Sequence, residues 1–168
     1  IQSNGGTTGG NGGNITTNSS NLSVTGIGPG GSSISANGPA GNGGTVSITT
    51  TSTNPFVAGN PFPNGTASGI SANGGNGNGG TVMIASDGAT VNPGVTVSAN
   101  GSPGAGGVVT FDANNPANPN PVITIGGIVS ATGGIPGTGV IGLGTGAGQN
   151  LIVNIPGAGA LNAGQQVT

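Results

Sequence analysis

A segment that returns with a fixed internal step restricts the fold of this chain more than anything else in it. Ile34-Ser-Ala-Asn-Gly-Pro-Ala-Gly-Asn-Gly-Gly-Thr-Val-Ser-Ile-Thr49 is a short apolar strand, a glycine turn and a second short apolar strand. It recurs as Ile70-Ser-Ala-Asn-Gly-Gly-Asn-Gly-Asn-Gly-Gly-Thr-Val-Met-Ile-Ala85 and as Val97-Ser-Ala-Asn-Gly-Ser-Pro-Gly-Ala-Gly-Gly-Val-Val-Thr-Phe-Asp112. Val129-Ser-Ala-Thr-Gly-Gly-Ile-Pro-Gly-Thr-Gly-Val-Ile-Gly-Leu143 is a further copy. From the leading aliphatic of the first strand to that of the second, the step is 12 residues in all four (34 to 46, 70 to 82, 97 to 109, 129 to 141). Ile1-Gln-Ser-Asn-Gly5 with Asn14-Ile-Thr-Thr17 is a fifth copy, with a step of 14. A step held constant while the outer loops vary is the signature of a stacked repeat.

Within each copy the second strand alternates. Thr45-Val-Ser-Ile-Thr49 puts Val46 and Ile48 on one face and Ser47 on the other, because side chains along a strand point alternately to its two faces. The matching inward pairs are Val82 with Ile84, Val109 with Phe111, and Ile141 with Leu143. On the preceding strand Ile34, Ile70, Val97 and Val129 fall in register, with Ala36, Ala72, Ala99 and Ala131 beside them. A third apolar patch follows each copy, at Asn21–Thr25, Asn54–Val57, Ala89–Val95, Pro121–Ile125 and Asn150–Ile155. Each unit therefore reads as strand, glycine turn, strand, loop, strand, with starts near 1, 34, 70, 97 and 129. No stretch of ten residues keeps a helical period free of glycine and proline, and glycine disfavours a helix by ~1 kcal/mol per position. One unit cannot bury its own apolar face, whereas stacked units can. The expectation is an all-β chain forming one elongated domain over residues 1–168, a parallel β-solenoid of about five Gly/Asn/Thr-rich repeats. Beyond about residue 133 the register weakens, and Gly139–Gly148 reads equally as a loop.

The charge content fits stacking. The chain has no lysine, arginine, histidine or cysteine, and Asp87 and Asp112 are its only acidic residues. A ladder of like charges on neighbouring strands is destabilising, while Asn, Thr, Ser and Gly stack freely. With no cation to neutralise phosphates, nucleic-acid binding is excluded, as is electrostatic attachment to anionic lipid. No apolar run approaches the ~20 residues of a membrane-spanning helix. The 41 glycines and 12 prolines of 168 residues reach a fraction often seen in disordered chains. The regular placement of Val, Ile and Leu argues for order instead. The chain opens on Ile1 without an initiator methionine or a signal-like segment, and reads as a mature or internal portion of a longer precursor.

Chemistry has little to work with. No His, Cys or Lys can serve as base, nucleophile or Schiff-base former. Asp87 falls in a loop and Asp112 at a strand end, at different repeat positions, so they read as two solvated carboxylates rather than a catalytic pair. No enzyme activity and no cofactor are expected. Asn4, Asn37, Asn73 and Asn100 share one repeat position, which Thr132 takes in the last copy; they read as turn residues whose amides form a ladder along the axis. The runs Gly9–Gly13 and Gly74–Gly80 lack the Lys-Ser/Thr and helix of a phosphate loop, and lack the aspartates of calcium-binding nonapeptide rolls. Asn14, Asn18, Asn21 and Asn64 begin Asn-x-Ser/Thr sequons and are glycosylation candidates. Thr45 and Thr81 suggest the flat threonine rank of an ice-binding surface, but Val108 and Val140 interrupt it.

Gly12-Gly-Asn-Ile-Thr16, Asn21-Leu-Ser-Val24, Ser33-Ile-Ser-Ala-Asn-Gly38 and Gly41-Asn-Gly-Gly-Thr-Val-Ser-Ile48 follow one another in an order that resembles the repeats of filamentous-haemagglutinin-like exoproteins, exported by two-partner secretion. The resemblance covers most of residues 1–112 and fades afterwards. It implies a right-handed parallel β-helix, secretion, and a role as adhesin shaft or surface fibre, and it carries no catalytic residues with it. The expected function is accordingly a non-catalytic shaft or subunit of an extracellular fibre or adhesin on a microbial cell surface. No polar or charged cap is visible at Ile1 or at Gln165-Gln-Val-Thr168, so end-to-end self-assembly is expected, with surface glycans or host and abiotic surfaces as further partners. Two alternatives stand beside it. One is a β-sandwich pilin-like subunit polymerising by strand donation, in which Ile34, Ile70 and Val97 would lie on antiparallel strands. The other is an ice- or glycan-binding solenoid module.

Overall fold

The computed structural model of the protein describes residues 1–20, 22–24, 33–59, 69–157 and 159–168. The first coil carries β1 (Asn14–Ser19) and β2 (Ser23–Val24). The second carries β3 (Ile34–Ser35), β4 (Thr45–Thr50) and β5 (Phe56–Ala58), and the third β6 (Gly69–Ser71), β7 (Thr81–Ala85) and β8 (Ala89–Val91). The fourth has β9 (Thr96–Ser98), β10 (Val108–Ala113) and β11 (Val122–Ile125). The fifth has β12 (Ile128–Ala131), β13 (Val140–Thr145) and β14 (Ile152–Asn154), and β15 (Ala160–Ala163) and β16 (Gln166–Val167) begin a sixth. There is no helix among the described residues, so none is long and apolar enough to cross a membrane.

Every third strand joins the same sheet. One sheet runs β1-β4-β7-β10-β13-β16, a second β2-β5-β8-β11-β14 and a third β3-β6-β9-β12-β15. All the strand pairs are parallel. The architecture is a right-handed parallel β-helix with three faces. The parallel pairing of Ile34 with Ile70 and of Ile70 with Val97 excludes the antiparallel sandwich. The rung count differs slightly from five, because β15 and β16 add to the six-stranded and third sheets.

The twelve-residue step is the register itself. Val46 pairs with Val82, Val82 with Val109, and Val109 with Ile141. On the third sheet Val97 pairs with Val129 and Val129 with Leu161. Ile34, Val46, Ile48, Ile70, Val82, Ile84, Val97, Val109, Phe111, Val129 and Ile141 are all buried, together with Ala36, Ala72, Ala99 and Ala131. Leu143 departs from the expectation: it is only partly buried, packed against the edge of the core. The cause is that β16 pairs only with Val140 and Ile141, so no further strand covers Leu143. The Gly139–Gly148 stretch, open to reading as a loop, contains a six-residue strand instead, with Val140–Thr145 laid on Val108–Ala113. Two glycines in that strand leave too weak an apolar alternation for it to be read without its partner.

The glycine turn joins the third sheet to the six-stranded one, and its shape is set by close approach. Gly44 donates its N–H to the Ala36 carbonyl at 2.7 Å, and Gly80 does the same to Ala72 at 2.7 Å. Each bond closes the turn within its own coil. A Cβ on Gly80 would lie 2.0 Å from the Gly44 carbonyl oxygen of the coil before. The backbones of successive coils touch here with no room for a side chain.

The corner from the second sheet to the third is built differently. In the third coil it shrinks to Asn92-Pro93-Gly94-Val95, where Val95 N–H donates to the Asn92 carbonyl at 3.1 Å and Gly94 has φ of 81°. Proline fixes the second position of such a turn and glycine supplies the positive φ of the third.

Candidate functional site

Two polar features stand out: amide ladders along the glycine turn, and a recess at the opposite end of the six-stranded sheet.

The first ladder runs through Asn4, Asn37, Asn73 and Asn100. Asn37 N–H donates to Asn4 Oδ1 at 2.8 Å, Asn73 N–H to Asn37 Oδ1 at 2.8 Å, and Asn100 N–H to Asn73 Oδ1 at 2.7 Å. Thr132 N–H then donates to Asn100 Oδ1 at 2.9 Å, joined by the Ser130 hydroxyl at 2.8 Å. The bonds run from backbone to side chain rather than from amide to amide, so each side-chain carbonyl satisfies a main-chain donor that the turn takes out of the sheet ladder. A second ladder lies across the same turn. Asn42 N–H donates to Asn11 Oδ1 at 3.0 Å, Asn78 N–H to Asn42 Oδ1 at 2.8 Å, and Ala105 N–H to Asn78 Oδ1 at 2.8 Å. Sequence reasoning missed it, although the signal was there: an Asn-Gly-Gly begins at 11, 42 and 78, three residues before the strands that start at Asn14, Thr45 and Thr81.

Removing one rung tests the ladder. Asn73→Ala leaves the Asn100 N–H without its acceptor and is expected to destabilise by ~1–3 kcal/mol. That is a fall in melting temperature of ~2–4 °C per kcal/mol for a chain of this size. Asn73→Asp keeps an acceptor and is expected to lose less. A thermal melt followed by far-ultraviolet circular dichroism separates the two, and equal loss in both would argue against the ladder.

The recess arises from unequal corners between the six-stranded and second sheets. In the third coil this corner is residues 86–88, while the flanking coils have residues 51–55 and 114–121 there. A short corner between two longer ones leaves a hollow with the short corner as its floor. Thr49, Thr50, Thr51 and Ser52 line one wall, Ala85, Ser86 and Asp87 the floor, and Asp112, Asn114, Asn115 and Pro116 the other wall; the volume is about 390 Å³. On the far side of Asp87 a second hollow of about 250 Å³ lies among Thr53, Pro55, Gly88, Thr90, Asn118, Val122 and Thr124. The long wall is held in place by Gln149 of the next coil, whose Nε2 donates to the Asn118 carbonyl at 2.8 Å and to the Asn115 carbonyl. Asn118 Nδ2 reaches the Asp87 carbonyl at 3.4 Å.

Asp87 and Asp112 do occupy different repeat positions, yet the recess spans adjacent coils and both line it. The reading of two solvated carboxylates is corrected for Asp87, which is buried with 8% of its surface exposed, and whose Oδ1 has no hydrogen-bond partner among the described residues. Thr50, equally buried, also lines the recess, but it continues the inward column of Val46 and Ile48 over Ser19, and its enclosed Oγ1 has no hydrogen-bond partner among the described residues. Ser86 N–H donates to the Asp112 carbonyl at 3.0 Å, which ties the floor to the wall.

The other predicted positions are scattered. Asn14 and Asn18 are exposed on β1, while Asn21 and Asn64 lie outside the described residues. On the outer face of the six-stranded sheet Thr45 pairs with Thr81, then Val108 and Val140 follow in register, so a threonine rank spans two rungs there. No protein-family model, no curated protein and no solved structure matches the chain.

Proposed function

We propose that the chain is a shaft segment of an extracellular fibre or adhesin of a microbial cell surface, working by mechanical continuity rather than catalysis. The observation that carries the reading is the self-complementary edge at each end of the coil stack. Among the described residues β1 and β2 present one unpaired row of parallel ladder groups, and β14, β15 and β16 present the other. Ile152, Val153 and Val167 on the last rungs are exposed. A further coil of the same polypeptide, or a second copy, would extend each sheet by parallel pairing in the same register. The scarcity of charge supports this, since nothing in the ladder repels an added coil. So does the absence of Lys and Arg, which leaves trypsin-like proteases no cleavage site, an advantage outside a cell.

Electron microscopy of the purified chain tests the proposal. Filaments of uniform width are expected, with a ~4.8 Å spacing along the fibre axis set by the distance between strands. Ile152→Lys together with Val167→Lys places cations on the edge, a known device against strand addition, and is expected to yield separate particles. Compact single particles from the unaltered chain at every concentration would sink the assembly reading.

A further inference from the structure

We propose that Asn76 is a site of spontaneous covalent modification, at which the folded chain converts asparagine to aspartate and isoaspartate. The sequence holds nine Asn-Gly pairs, beginning at 4, 11, 37, 42, 64, 73, 76, 78 and 100. Such a pair can react within itself. The main-chain nitrogen of the glycine attacks Cγ of the asparagine, so that a C–N bond forms in a cyclic imide and the bond from Cγ to Nδ2 breaks. Ammonia leaves with the proton of the glycine N–H. Water then opens the imide at either carbonyl. Cleavage at Cγ gives aspartate, and cleavage at the main-chain carbonyl gives isoaspartate. Nothing is oxidised or reduced, and water is the only co-reactant. Glycine favours the closure because it has no Cβ to crowd the attacking nitrogen.

In seven of the nine pairs the coil stack holds both reacting groups. Along the first ladder Gly5, Gly38, Gly74 and Gly101 donate their N–H groups to main-chain carbonyls of the next coil at 2.8–2.9 Å. Along the second Gly12, Gly43 and Gly79 do the same at 2.8–2.9 Å. The side-chain oxygen of each preceding asparagine is held too, by a main-chain N–H of that same next coil. Ring closure at these positions has to break both bonds first, through a local opening of the stack.

Asn76-Gly77 sits between the two ladders of the third coil and belongs to neither. Asn76 is exposed, and among the described residues neither its side chain nor the Gly77 N–H has a hydrogen-bond partner. The cause is in the sequence. Its repeat position is taken by Ala40 and Pro103 in the flanking coils, so no amide stands above or below it to build a rung. The ninth pair, Asn64-Gly65, lies outside the described residues.

Ageing of the purified chain in mildly alkaline buffer, followed by elastase digestion and tandem mass spectrometry, tests the site. Asn76 is expected to react at least ~10-fold faster than Asn37, Asn42 or Asn73, since each of those must first break two hydrogen bonds. In denaturant the contrast is expected to disappear. Each conversion adds a negative charge to a chain of net charge −2, so isoelectric focusing resolves it. An Asn64→Ala background removes the pair outside the described residues and is expected to keep the first acidic step. Adding Asn76→Ala, the residue the second coil carries at this position, is expected to abolish that step. Equal rates at Asn76 and the ladder asparagines of the folded chain overturn the proposal. The same ratio of rates in denaturant overturns it too, because the fold would then not set it, and so does survival of the first acidic step in the doubly substituted chain.

Discussion

Gly80→Ala is expected to abolish the cooperative fold, although it adds a single methyl group. That methyl would sit 2.0 Å from the Gly44 carbonyl oxygen and 2.7 Å from the Gly43 carbonyl carbon, both backbone atoms of the neighbouring coil. No side-chain rotation can relieve the contact. The coils would have to part by more than ~1 Å from their ~4.8 Å spacing. Parting them breaks the bond from Thr81 N–H to the Gly44 carbonyl, 2.9 Å, and strains the bond from Gly80 N–H to Ala72, 2.7 Å. A loss above ~4 kcal/mol follows, in the class of mutations that are exceptional for single substitutions and comparable to the whole stability of a small domain. Gly9→Ala is the control: nothing lies within 4 Å of its added Cβ, so its expected effect stays within ~0.5 kcal/mol. Chemical denaturation of both variants checks the contrast, and a Gly80→Ala protein as stable as Gly9→Ala would show that the coils are not in contact at the turn.

The same pair of backbones explains why so much of the fold could be read from the sequence. A turn that admits only glycine at fixed positions fixes the distance along the chain between the strands on either side of it. The twelve-residue step from Ile34 to Val46, or from Ile70 to Val82, is therefore the spatial register, and the inward columns follow by alternation. The step fails where the turn changes. Leu161 lies over Val129, and Val167 over Ile141, only six residues apart, because Gly164 and Gln165 replace the glycine loop. Nothing in the repeat predicts that shortcut, and the sixth rung went unread. The recess was illegible for another reason. It depends on the difference in length between three successive corners, and a corner's length has meaning only once its flanking strands have been placed. Asp87 looked solvated because it stands in a short loop. The longer corners on both sides bury it.

Ile84→Asp is expected to unfold the protein at neutral pH and to let it refold on acidification. Ile84 is fully buried, and its partners in the inward column are Ile48 and Phe111. A carboxylate there meets no counter-charge, since the chain holds no Lys, Arg or His. Truncating the isoleucine alone removes ~2–5 kcal/mol of packing. Keeping the new carboxyl neutral at pH 7, against an unfolded value near 3.9, requires a further ~4 kcal/mol. The sum reaches the ~5–15 kcal/mol that holds a domain folded. The sign of the pH dependence follows from the burial. Burial raises the folded-state pKa of the new group, so the electrostatic penalty is absent below about pH 3.9 and grows as pH rises above it. Ile84→Asn suffers a similar packing loss without this pH dependence and isolates the charge term. With only two other acidic side chains in the chain, the background against which the rescue is read is unusually quiet. Circular dichroism from pH 3 to 8 measures it, and an Ile84→Asp protein that stays folded throughout, or that fails equally at every pH, would contradict a dry core at this rung.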